Sequence, residues 1–230
     1  MMLPKLQDLL LEGKRVLLRV DFNVPLTQEG EIAHDGRIRA ALPTINYILN
    51  QGAPIVLLSH LGRPKSIHDS HASLGVCAKR LSQLIKAPLF FSSQLISKES
   101  EKMASDLKNG EILFLENLRF YPAEENPESD PNFAKYLASL ADYYINDAFS
   151  CSHRNHSSIT SLPSFFPNKK AAGLLFQKEL SLLDPLIHNP PRPFFTLIGG
   201  AKVSTKLGIL ESLLPLVDSF FIGGAMAFTF

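Results

Sequence analysis

With 230 residues, 45% of them hydrophobic and 20% charged, the chain can bury a sizeable core in one large domain or two. Its net charge of +1 gives no global attraction to nucleic acid or an anionic membrane, and no apolar stretch approaches the roughly 20 residues that cross a bilayer. Cys77 and Cys151 form no CxxC pair and no basic-then-apolar leader opens the chain, so the sequence reads as a cytoplasmic protein with reduced thiols.

Strand-like and helix-like segments alternate along the whole chain, the pattern of an α/β fold with a parallel, Rossmann-like sheet. The first strand is predicted over Arg15–Asn23, closed by Pro25. Ile38, Ala41, Leu42, Ile45, Ile48 and Leu49 follow at helical spacing, with Pro43 either opening that helix or kinking it. Pro54–Leu58 is an apolar run that reads as a strand buried on both faces, ended by Ser59-His60-Leu61-Gly62-Arg63-Pro64. A helix over Ser73–Ile85, a short strand at Pro88–Phe91 and a helix ending near Gly110 come next. Glu111–Asn117 is a strand, 126–131 an acidic surface turn, Phe133–Leu140 a helix and Asp142–Phe149 a strand. Residues 150–170 read as loop and Ala171–Leu186 as a helix. Asn189-Pro190-Pro191-Arg192-Pro193 is the strongest break. Beyond it lie a strand at Phe194–Ile198, a helix through Leu213 and a strand at Asp218–Ile222. The expected organisation is an α/β domain over 1–170, a linking helix over 171–189, and a second α/β domain begun over 190–230 and left incomplete.

Ligands of open parallel sheets sit just past the carboxyl ends of the strands. Four such ends, together with the loop after the first strand, collect His60 and the arginines Arg37, Arg63, Arg119 and Arg154, with Asp21, Asn23, Glu116, Asn117, Asn146, Asp147, His153 and His156 among them. A guanidinium fork grips phosphate or carboxylate with two hydrogen bonds, so this edge points to a ligand with several negative charges. Asp21 then pairs with an arginine or accepts from a hydroxyl. Further on, Gly199-Gly200-Ala201-Lys202-Val203-Ser204-Thr205-Lys206 joins a strand to a helix, where close backbone approach and two lysines suit a phosphate. Neither the Walker A spacing nor a GxGxxG fingerprint is present. His68 and His71 lack a carboxylate or thiol at ligand spacing, so no metal site is expected.

Leu18-Arg19-Val20-Asp21-Phe22-Asn23-Val24-Pro25, the stretch from Gly36 to Ile45, Ser59 to Pro64, Leu115 to Phe120, Asn146 to Phe149, Gly199 to Val203 and Gly223 to Phe230 closely resemble phosphoglycerate kinase, in family order and across essentially the whole chain. The resemblance implies two α/β domains facing a cleft, the first holding 3-phosphoglycerate and the second Mg-ATP or Mg-ADP. It implies a monomer, no nucleic-acid or membrane partner, and reversible formation of 1,3-bisphosphoglycerate. Matching positions make Asp21, Phe22, Asn23, Arg37, His60, Leu61, Gly62, Arg63, Arg119 and Arg154 the substrate site, with backbone help at Phe22, Leu61 and Gly62. They put Lys202 and Lys206 toward the nucleotide phosphates, and Arg37 with Lys202 at the transferring phosphoryl. The chain departs from the family at Ser150-Cys151-Ser152, where Gly-Thr-Ala is usual, and at Ala225, where a third glycine is usual. The magnesium-holding part has no counterpart in these residues. The alternative is a catalytically incompetent 3-phosphoglycerate-binding module.

Overall fold

The apolar runs become strands because helices cover both of their faces. The computed structural model describes residues 3–67, 69–200, 204 and 206–229, and two compact units divide it, Met1–Gln177 and Lys178–Phe230. The first unit is built on a fully parallel sheet of β1 (Val16–Arg19), β2 (Ile55–Leu58), β3 (Leu89–Ser92), β4 (Ile112–Leu115), β5 (Tyr143–Asn146) and β6 (Lys170–Ala172). Its strand order is β3-β4-β2-β1-β5-β6.

Successive side chains of a strand point to opposite faces. Val16, Leu18, Ile55, Leu57, Ile112 and Phe114 therefore share one core with Ile38, Ala41, Ile45 and Ile48 of α1 (Gly36–Asn50) and Leu74, Cys77, Ala78 and Leu81 around α2 (Gly75–Ser82). On the other face Leu17, Val56, Leu58, Leu113 and Leu115 pack with Ala104 of α3 (Lys98–Asp106) and, beyond the short α4 (Pro122–Glu125), with Phe133 and Leu137 of α5 (Pro131–Ser139). Phe114 holds Phe22 edge-on at 5.7 Å between ring centroids, which ties the loop after β1 to the sheet.

Several boundaries differ from the sequence reading. The first strand stops at Arg19, so Asp21, Phe22 and Asn23 belong to the loop that leaves it. Pro43 lies inside α1, which begins at Gly36. Part of the expected 150–170 loop winds into short helical turns, 3-10 over Phe149–Cys151 and Leu162–Phe165 and π over Ser157–Ser161. The helix expected from Ala171 begins at Leu174, because Ala171 and Ala172 pair with Ile145 and Asn146 in β6. Gly173 makes that junction possible: a Cβ there would lie 2.2 Å from Asp147 Oδ1. The helix, α6 (Leu174–His188), runs across the division between the units.

The second unit holds a two-stranded parallel sheet, β7 (Phe195–Gly199) with β8 (Ser219–Gly223), and α7 (Leu207–Leu213). One face of that sheet is open: Leu197 is 77% exposed, and Phe195 and Phe221, on the same face, are 56% exposed each. No helix among the described residues is long and apolar enough to cross a membrane.

Candidate anion site at the strand ends

From β1 the chain builds β2, β3 and β4 on one side, then returns to place β5 and β6 on the other. The reversal makes a topological switch point at the carboxyl ends of β1 and β5, the usual place for a ligand in such sheets. Asp21 and Ser150 meet there, the Ser150 hydroxyl donating to Asp21 Oδ2 at 2.5 Å. The Arg37 guanidinium, carried on the first turn of α1, pairs with the same oxygen, while the Asn23 N–H donates to Oδ1 at 3.0 Å.

The other loops are pinned by side chains rather than by regular structure. Asn23 Oδ1 accepts from the Gly62 N–H at 2.8 Å, and Gly62 sits at φ +60°, a left-handed conformation that glycine adopts without a Cβ penalty. Asn117 accepts from the Leu61 and Arg119 N–H groups and donates to the Leu61 and Ala72 carbonyls. Ser59 accepts from the Phe22 N–H at 2.9 Å. The N–H groups of Phe22, Leu61 and Gly62 thus have internal partners here, and they shape the loops.

Arg119 is nearly buried. Its Nη1 donates to the Gly62 carbonyl at 2.7 Å and its Nε lies 3.0 Å from Glu125 Oε1, but its buried Nη2 has no hydrogen-bond partner among the described residues. Arg154, half-buried, likewise leaves a buried Nε unpartnered and is near enough to act electrostatically on both Arg119 and His60. Arg63 stands exposed beyond Gly62, and the Arg37 side chain is 48% exposed. The strand ends therefore bring Asp21, Asn23, Arg37, His60 and Arg119 into one contact network, with Arg154 beside it. Lys206 caps the start of α7 in the second unit. Lys202, His68 and Phe230 lie outside the described residues.

Two titrating groups set the local electrostatics. Burial works to raise the Asp21 pKa, yet the Ser150 hydroxyl, then the neighbouring His60, the Asn23 N–H and the Arg37 guanidinium together outweigh it and hold the carboxyl below its ordinary 3.8. Burial, with Arg19, Arg119 and Arg154 nearby, pushes His60 down to about 2 against the opposing pull of Asp21, so the ring is neutral at physiological pH. A carboxylate depressed in the folded state adds stability that is present above its unfolded pKa and disappears as pH falls through its folded value. Asp21→Asn is therefore expected to flatten the loss of stability as pH falls below the ordinary carboxylate range, read as urea midpoints; an unchanged acid limb would contradict the assignment.

Asp21, His60 and Cys151 also bring potential metal-ligand atoms within 4.8 Å of one another. Their surroundings favour an anion instead. A metal-bound imidazole normally donates its second N–H to an acceptor, whereas His60 Nδ1 faces the Arg19 guanidinium, itself a donor, at 3.1 Å. Cys77, far from reactive, is held up at about 12 by burial and by Glu116.

Sequence reasoning missed the supports. Arg19 and Glu124 are both fully buried, 3.9 Å apart, with Ser158 bonded to each. An arginine inside an otherwise apolar strand was the available signal, since a strand covered on both faces leaves a charge no route to water.

A family model described as phosphoglycerate kinase matches residues 6–230. The phosphoglycerate kinase of Coprothermobacter proteolyticus is 47% identical over all 230 residues of this chain, which span 58% of that relative. That of Nautilia profundicola is 50% identical over 219 residues, 95% of this chain and 54% of the relative. Among solved structures, phosphoglycerate kinase from Coxiella burnetii superposes with a TM-score of 0.82 at 35% identity, covering 99% of this chain and 56% of its own. The Pyrococcus horikoshii enzyme gives 0.85 at 32% identity, covering 97% and 56%. The chain thus spans little more than half the length of the relatives it matches.

Proposed function

The chain belongs to the phosphoglycerate kinase family, and from that premise we propose that its first unit binds 3-phosphoglycerate for reversible phosphoryl transfer with ATP, giving 1,3-bisphosphoglycerate and ADP. The setting is cytoplasmic glycolysis and the working form a monomer. One observation carries the reading: buried guanidinium N–H groups on Arg119 and Arg154 have no hydrogen-bond partner among the described residues, beside a neutral His60. An unpaired buried donor is costly, and a charge-assisted bond to an oxyanion contributes about 1.5–3 kcal/mol. A ligand carrying a phosphate at one end and a carboxylate at the other answers several such groups at once.

The substrate carboxylate is already deprotonated at neutral pH, so the reaction needs no general base, and catalysis reduces to alignment and charge stabilisation. Arg119 and His60, on loops pinned through Asn117 and Gly62, hold the substrate still together with Arg154. Arg37 is the adaptable member. Its exposed ion pair is worth at most about 1 kcal/mol, and Ser150 and Asn23 keep the Asp21 carboxylate satisfied when the guanidinium turns to the transferring phosphoryl. Bound Mg-ATP supplies that phosphoryl group, and Lys202 and Lys206 are the residues proposed to meet its phosphates.

The test is incubation of the chain with Mg-ATP and 3-phosphoglycerate, trapping any acyl phosphate with hydroxylamine. Hydroxamate dependent on both substrates is the expected product. None, with 3-phosphoglycerate still bound, favours the second reading, a binding module without transfer; the open two-stranded sheet of the second unit, with Leu197 bare, is the observation on that side. None, without substrate binding, overturns both.

A further inference from the structure

We infer that Arg19 is a positioning residue of this site: from inside the sheet it fixes the tautomer of His60, so that the ring presents an N–H donor to the anion site. Arg19 ends β1, and its side chain is fully buried. Its Nε donates to Ser158 Oγ at 3.0 Å and its Nη1 to the Val20 carbonyl, while Glu124 lies 3.9 Å from Nη2. The Nη2 is 3.1 Å from His60 Nδ1.

A guanidinium offers donors and no acceptor, and it stays charged. Nδ1 must therefore accept, and the single proton of the neutral ring goes to Nε2. That nitrogen lies 4.0 Å from Asp21 Oδ1, on the side where Arg37 and Ser150 also meet Asp21. Charged groups face the ring from three sides: Arg19 and Asp21 from β1 and its exit, Arg119 from the turn after β4, and Arg154 from the loop after β5. Three of these four disfavour imidazolium, as does burial.

His60 therefore binds as a neutral donor over the physiological range. A buried arginine places it by occupying the nitrogen that would otherwise compete for the proton. Glu124 and Ser158 in turn hold Arg19, so a network reaching α4 and the turn over Ser157–Ser161 decides which ring nitrogen faces Asp21 as a donor. The tautomer rests on geometry alone; its use toward a substrate oxygen rests on the function proposed above.

Long-range proton–nitrogen correlation spectra of the ligand-free chain test this, with the His60 signals assigned by their disappearance in His60→Gln. The expected pattern is a protonated Nε2 and an unprotonated Nδ1, unchanged from pH 8 to pH 5. A proton on Nδ1, rapid exchange between tautomers, or titration near pH 6.5 would overturn the proposal. Arg19→Met with Glu124→Gln removes the buried charge pair together. In the folded double variant the ring is expected to populate both tautomers and to titrate closer to 6.5, whereas an unchanged spectrum would overturn the role of Arg19. If that variant does not fold, the wild-type pattern still decides. No ligand is present, so a chain that fails to bind 3-phosphoglycerate leaves this result independent.

Discussion

Glu124→Ala is expected to destabilise the first unit by about 3–5 kcal/mol, the usual effect of removing one partner of a buried ion pair. The magnitude follows from what is left behind. Glu124 accepts from the Ser158 N–H at 3.0 Å and its hydroxyl at 2.6 Å, lies 3.6 Å from His156 Nδ1, and balances Arg19 at 3.9 Å. Without the carboxylate, the Arg19 charge sits in the middle of a six-stranded sheet with neutral partners only. The Ser157–Ser161 turn also loses its anchor to α4. Glu124→Gln keeps the shape and one acceptor oxygen, and should cost less. Urea unfolding of both variants against the parent measures this. A loss below about 1 kcal/mol for Glu124→Ala would mean that water reaches Arg19, and the buried network would not be the support described here.

Arg37→Ala is expected to lower acyl-phosphate formation about 10³-fold, the scale of an arginine that stabilises a transferring phosphoryl group, while 3-phosphoglycerate affinity changes less than about tenfold. The asymmetry comes from geometry. Arg119 and Arg154 are held with buried donors free for a ligand, whereas Arg37 is exposed and, among the described residues, tethered to Asp21 alone. An interaction made only in the transition state is lost from turnover and not from ground-state binding. The hydroxylamine assay gives the first quantity and calorimetry the second. Equal losses in both would make Arg37 an ordinary binding group.

Much of this fold was legible because doubly covered parallel strands are nearly pure apolar runs. Ile55–Leu58 and Ile112–Leu115 are buried at every position. β6 was not legible: Lys170-Ala171-Ala172 carries no hydrophobic signal, alanine favours helix, and only pairing to β5 makes the segment extended. The first strand was read too long because Val20 and Phe22 continue its apolar pattern, although they are core residues of the departing loop.

The same contrast holds at the site. Arg37, His60 and Arg119 follow strand ends, a position that chain order reveals. Arg19, Glu124 and Ser158 act through partners distant in sequence, which no local pattern encodes. Ser150 was noticed as a departure from the family, but its consequence, a hydroxyl on Asp21, needed the meeting of the β1 and β5 exits. Supports remain hidden in a sequence because their function is a contact.

The central claim is that the strand-end arginines form a 3-phosphoglycerate site within the first unit. Calorimetric titration of the 230-residue chain with 3-phosphoglycerate tests it most directly, with circular dichroism recorded on the same sample. The expected result is saturable one-to-one binding that Arg119→Ala weakens about 10- to 150-fold, the equivalent of one charge-assisted hydrogen bond. A folded chain that takes up no heat of binding at millimolar ligand would contradict the claim.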